Sequence, residues 1–181
     1  MTKNTLEDSM AALSSMWGPL TTELADAARL HLETLARAST DEPWLADLHR
    51  DLPARSELYR DPVHGFVLLA HVEMTSLYRP PHDHGRSWVV YAVQQGESEM
   101  GTYGRTETPA GQVRLAKRNT KLLKPGMAQV YLPGDIHDTL CVSGPAILFR
   151  FTERDLKVED EVDHRVSRYV QRDGYWTTSG Q

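Results

Sequence analysis

From Leu58 onward the chain breaks into short apolar or alternating runs divided by Gly, Pro and Asp, a texture that few architectures accommodate. The runs Gly65–Val72, Ser87–Gln94, Ser98–Tyr103, Gln112–Leu115, Thr120–Leu123, Ala128–Leu132, Thr139–Val142 and Ala146–Thr152 read as strands. Turn signals stand between them: Gln95–Gly96, Pro109–Ala110–Gly111, Lys124–Pro125–Gly126 and Ser143–Gly144–Pro145. About eight short strands so spaced predict a mainly β protein, an antiparallel barrel or sandwich. A barrel of this size closes its own edges and leaves an interior that holds one small ligand.

The pattern ahead of these runs is helical. Thr21 and Thr22 suit a helix N-terminus, Glu23 falls in the first turn, and Leu20, Leu24, Ala27, Ala28 and Leu35 recur at three- and four-residue spacing. A second helix begins at Pro43, buries Trp44, Leu45 and Leu48, and closes before Pro53. The division expected is a helical extension over 1–57, a barrel over 58–155 and a C-terminal segment over 156–181. That last segment either packs on the barrel or is partly irregular. Its charged stretch Val158–Val170 reads equally as helix or as irregular chain.

Charge narrows the partners. The 181 residues carry 20 Lys and Arg against 25 Asp and Glu, a net charge of −5, with basic residues scattered among acids. Neither nucleic acid nor a membrane is an expected partner. The single cysteine, Cys141, allows no internal disulfide and reads as a small buried hydrophobe. With no apolar run of signal-peptide length near the start, the expectation is a soluble cytoplasmic protein.

Two segments carry chemistry. In Pro80–Pro81–His82–Asp83–His84–Gly85, strand geometry sends residues i and i+2 to one face, so His82 and His84 offer imidazoles to a common point. In Leu132–Pro133–Gly134–Asp135–Ile136–His137, a turn leads into a strand and brings a third imidazole opposite the pair. Either segment alone is commonly just a solvated pair or a turn. Together and in this order they predict a catalytic metal site of three neutral histidines with open positions.

The stretches PPHDHGRSWVVYAVQQGE and KPGMAQVYLPGDIH resemble the two motifs of the cupin superfamily. Within it they are similar to the branch of cysteine dioxygenase and the bacterial 3-mercaptopropionate dioxygenases. The resemblance covers about Leu58 to Thr152 and implies a double-stranded β-helix barrel. The general cupin pattern has a glutamate four or five residues after the second histidine, where this chain has Trp88 and Val89. Its loss is typical of the thiol dioxygenases and implies iron(II) on three histidines, with a small anionic substrate and dioxygen. The resemblance also implies that Arg60, in Leu58–Tyr59–Arg60–Asp61–Pro62, contacts a substrate carboxylate. Departures accompany the likeness. The Ser, His and Tyr of those enzymes correspond here to Arg150, Thr152 and Arg154, and the cysteine that cross-links in the animal enzymes to Val89.

Arg150 shares a strand face with Leu148 and Thr152, opposite Phe149 and Phe151, so it faces the interior if the Phe side packs outward. There it either anchors an anionic substrate or pairs internally with an acid such as Glu99 or Glu73. Tyr91 and Tyr131 either donate phenolic protons near the metal or simply pack. Trp88 is expected as an apolar wall beside the metal, and His71 either orients a ligand or is an ordinary strand residue. Asp83 reads as structural, and His31, His49 and His164 as surface residues.

Three functions follow from these readings. The first is an iron(II) dioxygenase acting on a thiol carboxylate such as cysteine or 3-mercaptopropionate. The second is a cupin lyase, isomerase or non-thiol oxygenase using zinc, nickel or manganese. The third is a non-catalytic ligand- or metal-binding module. The resemblance also implies a possible homodimer through the sheets.

Overall fold

The computed structural model describes residues 4–178. Three helices come first: α1 (Thr5–Ser15), α2 (Thr22–Ala36) and α3 (Pro43–Asp51). The two helices read from the sequence begin where their signals stand. The Thr21 hydroxyl accepts from the Leu24 amide at 3.2 Å, and Pro43 opens α3. Helix α1 is an addition, capped by Asn4 accepting from the Glu7 amide at 3.2 Å and burying Leu6, Met10 and Leu13 on one face.

The strands are β1 (Arg55–Arg60), β2 (Val67–Glu73), β3 (Tyr78–His82), β4 (Val89–Glu107), β5 (Val113–Leu123), β6 (Ala128–Tyr131), β7 (Ile136–Thr152), β8 (Tyr169–Arg172) and β9 (Tyr175–Thr178). Three pairs of expected short strands are single long ones. Ser87–Gln94, from Val89 on, and Ser98–Tyr103 belong to β4, Gln112–Leu115, from Val113 on, and Thr120–Leu123 to β5, and Thr139–Val142 and Ala146–Thr152 to β7. The reason is local. Gln95–Gly96 and Ser143–Gly144–Pro145 do not reverse the chain; the first lies among register shifts that kink β4 against β7. Gly96, at φ +74°, sits so close to the Ser143 carbonyl and Ala146 that a Cβ would collide with them.

The two kinked strands organise the sheet. Val89–Val93 of β4 pairs with Leu148–Thr152 of β7, flanked by β6 on one side and by β2 and β1 on the other. Beyond the kink, Ser98–Tyr103 pairs with Ile136–Cys141, flanked by β5 and β3. The sheet therefore curls over itself. Tyr91 and Leu148 from one half share an interior cluster with Met100 and Cys141 from the other. The architecture is mainly β, a curled antiparallel sheet with helices packed against it.

Helices cover the outer face of the first half. Met10, Leu32, Leu35 and Leu45 pack with Phe66, Trp88, Val90, Phe149 and Phe151. Phe149 is fully buried, its ring 5.7 Å from that of Trp44. Phe149→Ala is expected to cost about 3–5 kcal/mol of stability, read from the denaturant midpoint.

The C-terminal segment returns to the barrel. A π-helical turn at Val158–Val162 leads to the β8–β9 hairpin, which joins the sheet through Leu115 and Trp176. Residues 1–3 and 179–181 of the expected terminal segments lie outside the described residues. Among the described residues no helix is long and apolar enough to cross a membrane.

Candidate metal centre

The centre forms where β3 meets β7. His82, the last residue of β3, pairs directly with His137, the second residue of β7. His84 corrects the expectation of a shared strand face, because β3 ends at His82 and His84 lies in the following turn. Asp83 draws the chain out of the strand: its carboxylate accepts from the Gly85 amide at 3.0 Å and the Ser167 amide at 2.9 Å. The three imidazoles nevertheless converge. Ring centroids lie 4.7 Å apart for His82 and His137, 5.0 Å for His84 and His137, and 5.2 Å for His82 and His84.

One nitrogen from each ring lies within 4.8 Å of the others. Nitrogens about 2.0–2.1 Å from a shared cation lie at most about 4.2 Å apart, so small ring rotations complete such a set. Three observations fit a metal. Both nitrogens of the fully buried His137, and Nδ1 of His84, are buried without any hydrogen-bond partner. His82 Nδ1 stands 2.9 Å from the Pro80 carbonyl, an arrangement in which Nδ1 carries the proton and Nε2 is free to ligate. Burial, with the Arg150 guanidinium among the nearby charges, holds His82 below and His84 and His137 well below the usual imidazole range. The rings are thus neutral, as ligation requires.

The tyrosines frame the triad. The Tyr91 hydroxyl lies 3.3 Å from His84 Nε2, and burial raises its pKa, partly offset by Arg150, so it keeps its proton. Tyr131 stacks on His137 with centroids 4.0 Å apart, and burial likewise raises its pKa.

A cavity of about 580 Å³ opens onto His82 and His84, and Arg150, Tyr91 and His71 line it. Arg150 faces this interior, cross-strand from Tyr91 and from Leu69. Its Nε is buried without a partner. The alternative of an internal ion pair does not hold. Glu73 pairs instead with Arg79 at 2.8 Å, and no carboxylate among the described residues lies within salt-bridge distance of Arg150. Arg60 is not brought to the cavity. It sits half-exposed at the end of β1, bound to Glu57 at 2.8 Å and Asp155 at 3.0 Å. Trp88 also belongs elsewhere, packed among Trp17 and Phe151 beneath the helices, because its side chain takes the outer face of the sheet.

His71 lines the same cavity. Burial, with Arg150, Arg79 and Arg55 nearby, pushes its imidazole down to about 3. Unfolded, the ring titrates near 6.5. Between that value and about 3, the unfolded chain binds a proton that the folded chain refuses. Stability is therefore complete above pH 6.5 and declines as pH falls, by up to about 1.4 kcal/mol per pH unit for this group. The metal-free protein is expected to lose denaturant resistance from pH 7 to pH 5, and His71→Gln to show a shallower decline.

Sequence reasoning missed the C-terminal contribution. Leu156, Asp160, Val166 and Arg168 line the cavity, and Arg168 bridges to His82 through the backbone. A charged stretch gives no periodicity from which docking could be read.

No protein-family model and no curated protein matches the sequence. Among solved structures, the chain is similar to KdgF from Halomonas sp., with 19% identity, TM-score 0.42, and coverage of 55% of this chain and 79% of that one. It is similar to the cupin domain of Schizosaccharomyces pombe Cnp3, with 12% identity, TM-score 0.43, and coverage of 59% and 69%. It is also similar to an oxalate oxidase in complex with the substrate analogue glycolate, with 18% identity, TM-score 0.38, and coverage of 49% and 41%. This last match spans less than half of the oxalate oxidase. Likenesses of this degree say nothing of reaction or substrate, and the architecture rests on the strand pairing itself.

Proposed function

We propose that the chain is a cupin-type oxygenase, using iron(II) on His82, His84 and His137 to oxidise a small anionic substrate, with a thiol carboxylate the first choice. One observation carries this reading: three neutral imidazoles converge, two of them (His84 and His137) with unpartnered buried nitrogens, and His82 and His84 face a cavity also lined by Arg150, which has no carboxylate within salt-bridge distance among the described residues. Iron(II) on neutral imidazoles supplies redox chemistry with dioxygen and open positions for an anionic ligand.

The protein's own groups do the rest. Arg150, rather than Arg60, anchors the substrate carboxylate, since its planar fork lines the cavity with no carboxylate within salt-bridge distance among the described residues. Tyr91 keeps a proton at its hydroxyl between His84 and Arg150, ready to donate to the substrate. Tyr131 fixes the plane of His137 by stacking. Leu148 and Leu156 supply apolar wall to the cavity.

Oxygen uptake by the Fe²⁺-loaded protein tests this, with cysteine and 3-mercaptopropionate among a panel of small thiols. Thiol-dependent uptake is expected. Silence across the panel refutes the thiol assignment. One observation favours a second reading: Arg150, Thr152 and Arg154 stand where thiol dioxygenases have Ser, His and Tyr. Lyase, isomerase or non-thiol oxygenase chemistry with zinc, nickel or manganese would then show as activity restored by those ions and not by iron.

A further inference from the structure

The turn that carries His84 is held by chain far away in sequence. The Asp83 amide donates to the Ser167 carbonyl at 3.1 Å, and the Ser167 amide returns a bond to the Asp83 carboxylate at 2.9 Å. The Gly85 amide donates to that same carboxylate at 3.0 Å, and the Arg86 amide to Glu159 Oε2 at 3.1 Å. The Ser87 amide closes the turn on the His84 carbonyl at 3.1 Å. Of the four amides that belong to the turn (Asp83, Gly85, Arg86 and Ser87), two bond directly to the C-terminal segment and a third to the carboxylate that Ser167 fixes.

Glu159 is the unusual member. It is only 1% exposed, although it stands in a run of acids. Arg154 at 3.2 Å and Arg165 at 3.5 Å satisfy its other oxygen, and the Arg165 amide donates to its carbonyl at 2.8 Å. Its carboxylate lies against the ligand turn so closely that a Cβ on Gly85 would come within 2.6 Å of Oε2. Gly85, at φ +62°, is what permits that approach. A buried carboxylate is costly unless it is paired and hydrogen-bonded, as this one is. Here it bonds to the backbone two residues past a candidate ligand.

We infer that Glu159 is a positioning residue of the metal centre: docked with the C-terminal segment, it sets the His84 turn without touching the metal. This rests on the metal reading above. Outer groups that orient ligands typically change affinity by about 10–100-fold when removed.

The test uses the full chain, Co²⁺ as probe, and two readouts, affinity and the visible d–d spectrum of the bound ion. Glu159→Ala is expected to bind Co²⁺ about 10–100-fold more weakly, with an altered spectrum, while folded by circular dichroism. Asp163→Ala is the control. It removes the exposed ion pair with Arg165 on the same segment, lies outside the cavity lining and makes no bond to residues 82–86. It is expected to stay within about 3-fold of wild type with an unchanged spectrum. If Glu159→Ala fails to fold, the isosteric Glu159→Gln replaces it, with several-fold weaker binding expected. Unchanged affinity and spectrum in the Glu159 variant overturn the inference, as does an equal loss in both variants. If the wild-type protein binds no Co²⁺, the metal reading fails and the inference fails with it.

Discussion

Replacing His137 with alanine is expected to weaken divalent-metal binding by more than about 100-fold, beyond the usual effect of losing a residue that only orients a ligand. His137 is fully buried and central: it pairs across the ladder with His82, stacks on Tyr131, and leaves both ring nitrogens without protein partners. A ligand present at 100 times its Kd stabilises the folded state by about 2.7 kcal/mol, worth roughly 5–10 °C for a domain of this size. Thermal melts of the wild type with and without Co²⁺ should differ by that amount. In His137→Ala the two curves should coincide at the same metal concentration.

Arg150→Met is expected to separate stability from binding. The guanidinium is held inside the barrel with Nε unsatisfied and no carboxylate among the described residues to neutralise it. An apolar side chain of similar volume removes that desolvation cost, so the replacement is expected to be neutral or stabilising. The melting temperature of the metal-free protein should therefore hold or rise. Binding of a small carboxylate to the metal-loaded protein should fall about 10–150-fold, the loss of a charge-assisted hydrogen bond of about 1.5–3 kcal/mol. Calorimetric titration with 3-mercaptopropionate reads the second effect. A variant that is destabilised yet binds the anion normally would make Arg150 a structural residue.

The triad was legible because its signal is local: each histidine sits beside Gly, Pro or Asp at a fixed offset, and only their order along the chain was needed to join them. Strand lengths were less legible. Gly96 and Gly144 look like turn residues in sequence, yet Gly96 lets β4 kink against β7 and Gly144 lets β7 approach the backbone of Glu73–Thr75, and kink and reversal share the same residue chemistry. Alternation put Arg150 opposite Phe149 and Phe151, and its interior orientation depended on which side those rings took; they pack with the helices on the outer face. The position of Trp88 did not. Val89, Val90, Tyr91 and Ala92 are all buried because helices cover one face and the interior cluster the other, so the run shows no alternation from which to assign a face. Arg60 and Glu159 depended on tertiary pairing between segments far apart in sequence, and no short-range pattern encodes that.

The central claim is that these three imidazoles share one ion, and metal content tests it most directly. Wild-type protein and a variant with alanine at His82, His84 and His137 would be prepared side by side without chelators and assayed for transition metals. The account predicts about one bound ion per wild-type chain and background levels in the variant. Equal metal content in the two proteins would contradict it.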